Sequence, residues 1–314
     1  MQANDGDVNT VLGPIGVDDM GVTLMHEHVC IANEGMLLDS RVQVDRADNL
    51  GIAVQRLAAA REVGIRTIVD ATPIDLNRDA SFIKEASEAA GIHVVCSTGL
   101  YTETDGQPSH FKRMSAAELS DLFVHEITEG IGSTGVRAGV LKCATSQHAI
   151  TDAEAKTLEA VADAQRRTGV PVITHTSAGH GVEQAKILTE AGAAPGRVMI
   201  GHVDHKYSSF SYYERILRHG VNIAFDRCGL QVFLPDTMRA AIIAGLLDLG
   251  LGERLFLSMD SVSVHVGPPS SFEIGAPDPL VYLVTDFAEL LATYGVSDTQ
   301  LRDLLTTNPG RLFR

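Results

Sequence analysis

The sequence predicts an α/β protein with the (β/α)8 architecture of a TIM barrel, folded as one domain over residues 1–314. Short β-branched or apolar runs alternate along the chain with longer Ala-, Leu- and Glu-rich segments of helical period. The alternation gives eight strand-then-helix units, and α/β barrels of ~250 residues or more commonly form a single domain. The first strand runs into Met25-His26-Glu27-His28, with no glycine-rich phosphate turn, which disfavours a doubly wound dinucleotide-binding sheet.

The individual elements follow from this alternation. We predict strands at residues 22–25, 67–69, 93–97, 139–141, 172–174, 198–201, 221–225 and 255–258. Helical stretches lie between them, at 53–63, 81–90, 116–126, 152–168, 182–191, 212–218 and 236–247. The longest irregular stretch, residues 261–279, follows the eighth strand and is rich in proline. A loop of this length in a compact domain is usually functional, so we expect a lid or a pocket wall there.

Composition and charge narrow the class of protein. Hydrophobic residues make up 45 % of the chain and charged residues 21 %, as in globular proteins. The formal net charge of −15 disfavours binding to nucleic acid or to an anionic membrane. No apolar run reaches the ~18 residues of a membrane helix, and residues 1–13 lack the pattern of a secretory signal. The four cysteines form no CxxC pair, which favours a reduced, cytoplasmic location.

Residues that can bind metal recur where the predicted strands end. In barrels of this type the chemistry lies at the carboxyl ends of the strands. The residues at these ends are His26 and His28 (first strand), Lys142 (fourth), His175 (fifth), His202 (sixth), Asp226-Arg227 (seventh) and Asp260 (eighth). Four histidines at one barrel mouth are hard to explain by packing, because buried imidazoles without a partner cost free energy. The pattern indicates a metal site.

Two of these residues have other plausible roles. Lys142 ends an apolar run; its amine can react with CO₂ to give a carbamate that bridges two ions, or it can extend to solvent. Asp260 can ligate a metal and accept a proton from water, or it can cap a following helix. The proline-rich stretch after Asp260 disfavours an immediate helix start.

At these residues the chain resembles the phosphotriesterase family of the amidohydrolase superfamily. The segment Gly21-x-Thr23-Leu24-x-His26-Glu27-His28 is similar to the first signature of that family. The later similarities follow in chain order: Lys142 matches the carboxylated lysine, His175 and His202 the two later histidines, Asp260 the strand-eight aspartate, and Asn308-Pro309-x-x-Leu312-Phe313 the C-terminal segment. The resemblance thus covers nearly the whole chain.

The resemblance implies two divalent metal ions per chain, joined by a bridging hydroxide. His26, His28, Lys142 and Asp260 would hold one ion, and the carbamate of Lys142 with His175 and His202 would hold the other. Asp260 would also accept a proton as the hydroxide attacks, so Lys142 and Asp260 are the expected catalytic residues. Histidine and carboxylate ligands suit zinc, which we expect first, and also cobalt, manganese or iron.

Two further similarities point to the lactonase branch of this family. That branch carries a tyrosine at the end of strand three and an Asp-Arg-x-Gly-Leu stretch after strand seven. This chain has Tyr101 at the first place and Asp226-Arg227-Cys228-Gly229-Leu230 at the second. Tyr101 and Arg227 are therefore expected to bind substrate. Wall packing of Tyr101 and a structural salt bridge of Arg227 are the alternatives.

Two further features concern other parts of the site. Residues 261–279 depart from the best-known lactonases. Asp204 is a candidate to relay protons from Asp260.

The resemblance implies a metal-dependent hydrolase that opens lactones, above all N-acyl-homoserine lactones, with organophosphate hydrolysis as a side activity. Small-molecule lactones or esters would be its only partners apart from a second copy in a homodimer. The alternatives are phosphotriester hydrolysis as the main activity, a mononuclear deaminase-type enzyme and a non-catalytic scaffold barrel.

Overall fold

The fold is an α/β barrel whose strands follow one another around the sheet in chain order. The computed structural model describes residues 6–177, 179–205, 209–267 and 280–314. Within these ranges, nine parallel strands form one sheet in the order β10-β9-β8-β7-β6-β5-β4-β3-β11, and β1 and β2 form an antiparallel hairpin. The strands are β1 Asp7–Thr10, β2 Gly13–Gly16, β3 Val22–Ile31, β4 Ile65–Asp70, β5 His93–Gly99, β6 Val140–Thr145, β7 Val172–Thr176, β8 Val198–Ile200, β9 Asn222–Phe225, β10 Leu255–Leu257 and β11 Val262–His265.

Helices connect the strands on the outside of the sheet. In the described ranges they are α1 Arg46–Glu62, α2 Ala80–Ala90, α3 Ser109–Arg113, α4 Ala116–Thr128, α5 Asp152–Thr168, α6 Gly181–Glu190, α7 Phe210–Leu217, α8 Asp236–Asp248, α9 Asp286–Thr293, α10 Asp298–Arg302 and α11 Asn308–Phe313. Ser115 and Thr151 form capping boxes at the starts of α4 and α5, so the local sequence fixes where these helices begin. The predicted (β/α)8 barrel is confirmed.

The barrel closes through the segment that follows the eighth strand. β11 pairs in parallel with β3, with Val262 opposite His28 and Val264 opposite Cys30. Two backbone hydrogen bonds continue this contact: Asp260 N–H donates to His26 O at 3.0 Å, and His28 N–H donates to Ser261 O at 2.8 Å. The first and last strands are thereby joined.

The structure corrects the prediction for residues 261–279. Residues 262–265 form strand β11, and only the part before residue 268 can be compared, because 268–279 lie outside the described residues. Val262-Ser263-Val264 alternates as a strand does, and β3 offers it an open edge. The added strand also lengthens β3, which was predicted to end at Met25 and continues to Ile31.

Two apolar cores lie on the two sides of the sheet. The larger core fills the space between the strands and the outer helices. The smaller core fills the barrel interior and contains side chains such as Met25, Val69, Val95, Ile173 and Phe256, together with Val8 and Phe313 from the two ends of the chain. Asn9 on the hairpin donates to Ala138 O at 3.0 Å, so the hairpin closes the end of the barrel where the strands begin. The opposite end of the barrel, where the strands finish, is where the candidate site lies.

Candidate metal centre

Six of the side chains singled out in the sequence meet at the carboxyl ends of the strands. His26 and His28 lie on β3, Lys142 on β6 and His175 on β7, while His202 follows β8 and Asp260 lies between β10 and β11. All except Asp260 are at most 8 % exposed, and the Asp260 side chain is 13 % exposed. The parallel arrangement explains the meeting, because every strand of the barrel delivers its last residues to the same mouth.

The polar atoms of these side chains face one another at short distances. Lys142 Nζ lies 2.7 Å from His26 Nε2, and His202 Nε2 lies 2.9 Å from His175 Nδ1. Asp260 Oδ1 is 3.3 Å from His28 Nε2 and 3.7 Å from His26 Nε2. Asp260 Oδ2 is 3.6 Å from His202 Nε2. Nitrogen and oxygen donors therefore surround one small buried space.

Asp226 holds two of the imidazoles from behind. Its carboxylate accepts hydrogen bonds from His26 Nδ1 at 2.7 Å and from His202 Nδ1 at 2.8 Å. These bonds place a proton on each Nδ1 and leave each Nε2 with a lone pair directed at the centre. Asp226 was expected at a strand end, with no separate role. Its position directly after β9 was the available signal.

The other two histidines are also held on their outer side. His28 Nδ1 is 2.8 Å from the Thr72 hydroxyl, and His175 Nε2 is 3.0 Å from the Ser177 hydroxyl. The His175 carbonyl accepts from Gln184 Nε2 at 2.7 Å. Such contacts fix ring orientation, which metal-ligating histidines require.

These residues fit a divalent metal. His26, His28 and Asp260 offer one donor atom each within 4.8 Å of one another, as do His26, His202 and Asp226. In the second group Asp226 reaches the Nδ1 atoms, which face away from the centre, so we assign it to ring orientation rather than to ligation. Lys142 and His175 add two further nitrogen donors beside these groups, and this donor set suits divalent metal ions.

Burial adjusts the ionisation of these groups in the direction that metal binding needs. Burial and the neighbouring Lys142 lower the pKa of His26 to about 3. Burial and His202 lower the pKa of His175 well below its usual value. Both rings are therefore neutral, as a metal ligand must be. Burial also lowers the pKa of Lys142 to about 8, which makes the neutral amine, the form that reacts with CO₂, accessible.

The two carboxylates of the site stay ionised despite their burial. Burial alone would raise the pKa of Asp226, but His202 and His26 outweigh it and hold that pKa far below its usual range. For Asp260, burial is likewise outweighed by His202, His28, His26 and Arg227, and its pKa is lowered. Negative charge is thus retained where cations would bind.

The two expected substrate-binding residues lie beside the candidate metal ligands. The Tyr101 hydroxyl is 3.4 Å from both ring nitrogens of His175, and burial raises the pKa of this tyrosine, with Asp260 adding to the shift. Arg227 Nε donates to Asp260 Oδ2 at 3.2 Å, and its guanidinium lies 4.0 Å from the centre of the Phe233 ring. Arg227 therefore forms the salt bridge considered for it, with Asp260, and its contact with substrate stays a prediction.

Asp204 lies behind Arg227 and supports the chain there. Its Oδ2 accepts from Arg239 Nε at 2.7 Å and from the Arg227 backbone N–H at 3.1 Å. Arg239 also contacts Asp236, which caps the Gly229 N–H at 3.1 Å. Asp204 thus anchors the loop between β9 and α8, and the proton relay considered for it stays a prediction.

The comparisons with known proteins agree along the whole chain. The model of the phosphotriesterase family matches residues 6–313. An aryldialkylphosphatase from Saccharolobus solfataricus is 33 % identical over 301 residues, which cover 94 % of this chain and 95 % of that protein.

Solved structures show the same barrel. An organophosphorus hydrolase from Deinococcus radiodurans superposes with a TM-score of 0.93 at 39 % identity, covering 100 % of this chain and 98 % of that one. A mutant of a PTE-like lactonase from the same organism gives a TM-score of 0.92 at 38 % identity, covering 98 % of this chain and 100 % of that one.

Among the described residues, no helix combines the length and apolarity needed to cross a membrane.

Proposed function

Because the chain belongs to the phosphotriesterase family and is a hydrolase acting on ester bonds, we propose that its main substrates are lactones. N-acyl-homoserine lactones are the substrate class we favour, which would make the enzyme a quorum-quenching lactonase with weaker organophosphate hydrolysis. The observation that carries the proposal is the placement of Tyr101 and Arg227 directly beside the candidate ligands His175 and Asp260. Family membership argues against the scaffold alternative.

We propose that each chain binds two divalent metal ions, and zinc is the metal that we expect first. His26, His28, Lys142 and Asp260 would hold one ion, and Lys142, His175 and His202 the other, with Lys142 carboxylated by CO₂. Bound there, the cations would polarise the ester carbonyl and promote ionisation of the attacking water. The short Lys142 Nζ–His26 Nε2 distance of 2.7 Å supports a lysine that belongs to the ligand set.

The protein groups have separable tasks in lactone opening. Asp260 is ionised and faces the centre, so it can accept the proton that the attacking water loses. Tyr101 keeps its proton, because burial raises its pKa, and its hydroxyl can donate a hydrogen bond to an oxygen of the substrate. Arg227 holds the Asp260 carboxylate by a 3.2 Å bond and places positive charge beside the ring that opens.

A hydrolysis screen on one metal-loaded sample tests the proposal. We expect N-acyl-homoserine lactones to give a higher kcat/KM than γ- and δ-lactones without the acyl-amide group, and all lactones to exceed a paraoxon-like phosphotriester. Asp260→Asn, prepared in parallel, should keep the fold and lose most turnover, which controls for contaminating esterases. A phosphotriester kcat/KM equal to or above that for lactones would reverse the order.

Phosphotriester hydrolysis as the main activity is the second candidate. The similarity to an aryldialkylphosphatase over 94 % of the chain favours it. Both reactions need an activated water and a Lewis acid, so one centre can serve both.

We also propose that the protein is a homodimer and is located in the cytoplasm. The four cysteines, all unpaired and buried, support the cytoplasmic location.

A further inference from the structure

The backbone of Asp260 adopts a conformation that is uncommon for residues other than glycine. Its φ is +53°, in the left-handed region, where residues other than glycine are uncommon. Asp260 also lies in the four-residue gap between β10 and β11, so no regular strand pairing defines its conformation. Such a conformation persists at a functional site only when surrounding contacts hold it.

Glu27 supplies those contacts on both sides of Asp260. Its Oε1 accepts from the Met259 N–H at 2.9 Å, and its Oε2 accepts from the Ser261 N–H at 2.7 Å. Oε1 also accepts from the Ser258 hydroxyl at 2.8 Å, and the same hydroxyl accepts from the His26 N–H at 2.8 Å. The Glu27 side chain therefore holds the N–H groups of Met259 and Ser261, the residues on either side of Asp260.

The strand geometry explains why Glu27 is free to do this. Side chains alternate across a strand, so His26 and His28 point to the metal centre while Glu27 points to the opposite side of β3. Glu27 is fully buried, and none of the ion pairs among the described residues includes it. A buried carboxyl group without partners is costly, and three hydrogen bonds from this turn offset that cost for Glu27.

His202 shows a related arrangement, in which the carboxylate accepts from the N–H of the left-handed residue itself. Its φ is +56°, and its backbone N–H donates to the buried carboxylate of Asp226 at 2.7 Å. Both left-handed residues of the centre are thus fixed by a carboxylate that accepts from the backbone. The repetition at two separate strands indicates that holding these turns is a requirement of the site.

We propose that Glu27 is a positioning residue, which fixes the Asp260 turn so that the Asp260 carboxylate faces His28, His26 and His202. The inference rests on the proposed function, in which Asp260 is both ligand and proton acceptor. Glu27 itself touches neither substrate nor metal in this account. Its effect is therefore expected in turnover and in the metal environment, and not in substrate affinity.

Glu27→Gln tests the proposal with little change in shape. The amide keeps one acceptor oxygen and presents an NH₂ group to the other backbone donor, so one side of the turn is released. We expect kcat to fall ~100-fold, as a displaced catalytic group can cause, with KM within ~2-fold of the wild-type value. In the cobalt-substituted protein, the visible absorption spectrum should change and the cobalt content after dialysis should fall.

Glu154→Gln is the matched control. Glu154 is also fully buried and also accepts backbone hydrogen bonds, from Glu103 N–H at 2.9 Å and Ser146 N–H at 3.2 Å, but it holds other loops. We expect a loss of thermal stability comparable to that of Glu27→Gln, with kcat and the cobalt spectrum unchanged. The difference between the two variants separates positioning from general stabilisation.

The outcomes distinguish the two levels of the argument. A wild-type protein that binds no divalent metal and hydrolyses no ester overturns the proposed function. A wild-type protein that does both, with a folded Glu27→Gln variant of equal kcat and equal spectrum, overturns only the role of Glu27. If Glu27→Gln does not fold, Ser258→Ala removes one of the bonds to Oε1. That variant must then show a lower kcat at unchanged KM, and an unchanged kcat overturns the proposal.

Discussion

At the scale of single residues, the centre depends on groups that orient other groups. Asp226 is the clearest case, because its two oxygens bond to rings delivered by different strands, His26 from β3 and His202 from the end of β8. In the proposed arrangement these rings belong to different ions. One carboxylate therefore links the two halves of the site, and a change there should affect both.

Asp226→Asn should weaken metal binding without removing a ligand. An amide has one acceptor oxygen, so one of the two imidazoles loses its fixed Nδ1 proton and no longer presents a reliable Nε2 lone pair. We expect metal affinity to fall ~10–100-fold, the usual cost of losing such a contact. Metal content during dialysis against graded chelator measures it. Asp79→Asn, at the N-cap of α2, should leave the affinity unchanged, and equal affinities in all three proteins would remove Asp226 from this role.

Lys142→Ala tests the carbamate. The substitution removes the group that would join the two ions, so we expect loss of both metal and activity. Added short carboxylic acids should restore part of each, because a small carboxylate can enter the space left by the side chain and supply two oxygens. Rates with and without propionate, together with metal analysis, provide the measurement. Full activity without any additive would contradict the bridging role.

At the scale of elements, the repeated barrel strands could be predicted from the sequence, whereas the elements that close the barrel could not. All eight predicted strands are present, because alternation and apolar runs are local properties. The β1–β2 hairpin and β11 were missed, since each owes its structure to a distant partner: Val11 N–H bonds to Val94 O, and Val262 pairs beside His28. The meeting of the candidate ligands at the strand ends could be predicted for the same reason as the strands, and their ligation of metal stays a prediction. The roles of Asp226 and Glu27 could not, because both join strands far apart in the chain.

The β5–β6 contact is an element-scale feature with a direct test. Gly99 ends β5 opposite Lys142 on β6, with φ of +131°, and a methyl group there would overlap the Lys142 carbonyl oxygen. Gly99→Ala should therefore separate the strands at the residue that carries the candidate ligand. We expect a loss of ~2 kcal/mol or more in the free energy of unfolding, together with reduced metal content.

A matched glycine isolates the overlap from the backbone strain. Gly13 has a similar φ of +116°, but nothing lies within 4 Å of a methyl group added to it. Gly13→Ala should lower stability by the strain alone and leave metal content unchanged. Urea unfolding of both variants gives the comparison, and equal losses would show that the β5–β6 contact tolerates the methyl group.

At the scale of the whole molecule, the barrel has one end built for stability and one for chemistry. The hairpin β1–β2 and the C-terminal residues Leu312 and Phe313 fill the end where the strands begin. At the other end the same strands deliver buried imidazoles, an amine and carboxylates into one small space. Polar groups brought together without a cation are costly to bury, so we expect metal binding and folding to be coupled.

Metal removal should consequently destabilise the whole protein. A ligand that binds only the folded state raises its stability in proportion to the logarithm of its concentration over Kd. For a chain of this size, we expect chelation to lower Tm by ~5–10 °C, and added zinc to restore it. Differential scanning calorimetry of the wild type with and without chelator measures the shift, and Lys142→Ala serves as the control. Because that variant lacks the joining ligand, its Tm should respond weakly to either addition, whereas a Tm of the wild type that is indifferent to chelator would mean that the carboxyl ends of these strands fold equally well without any cation.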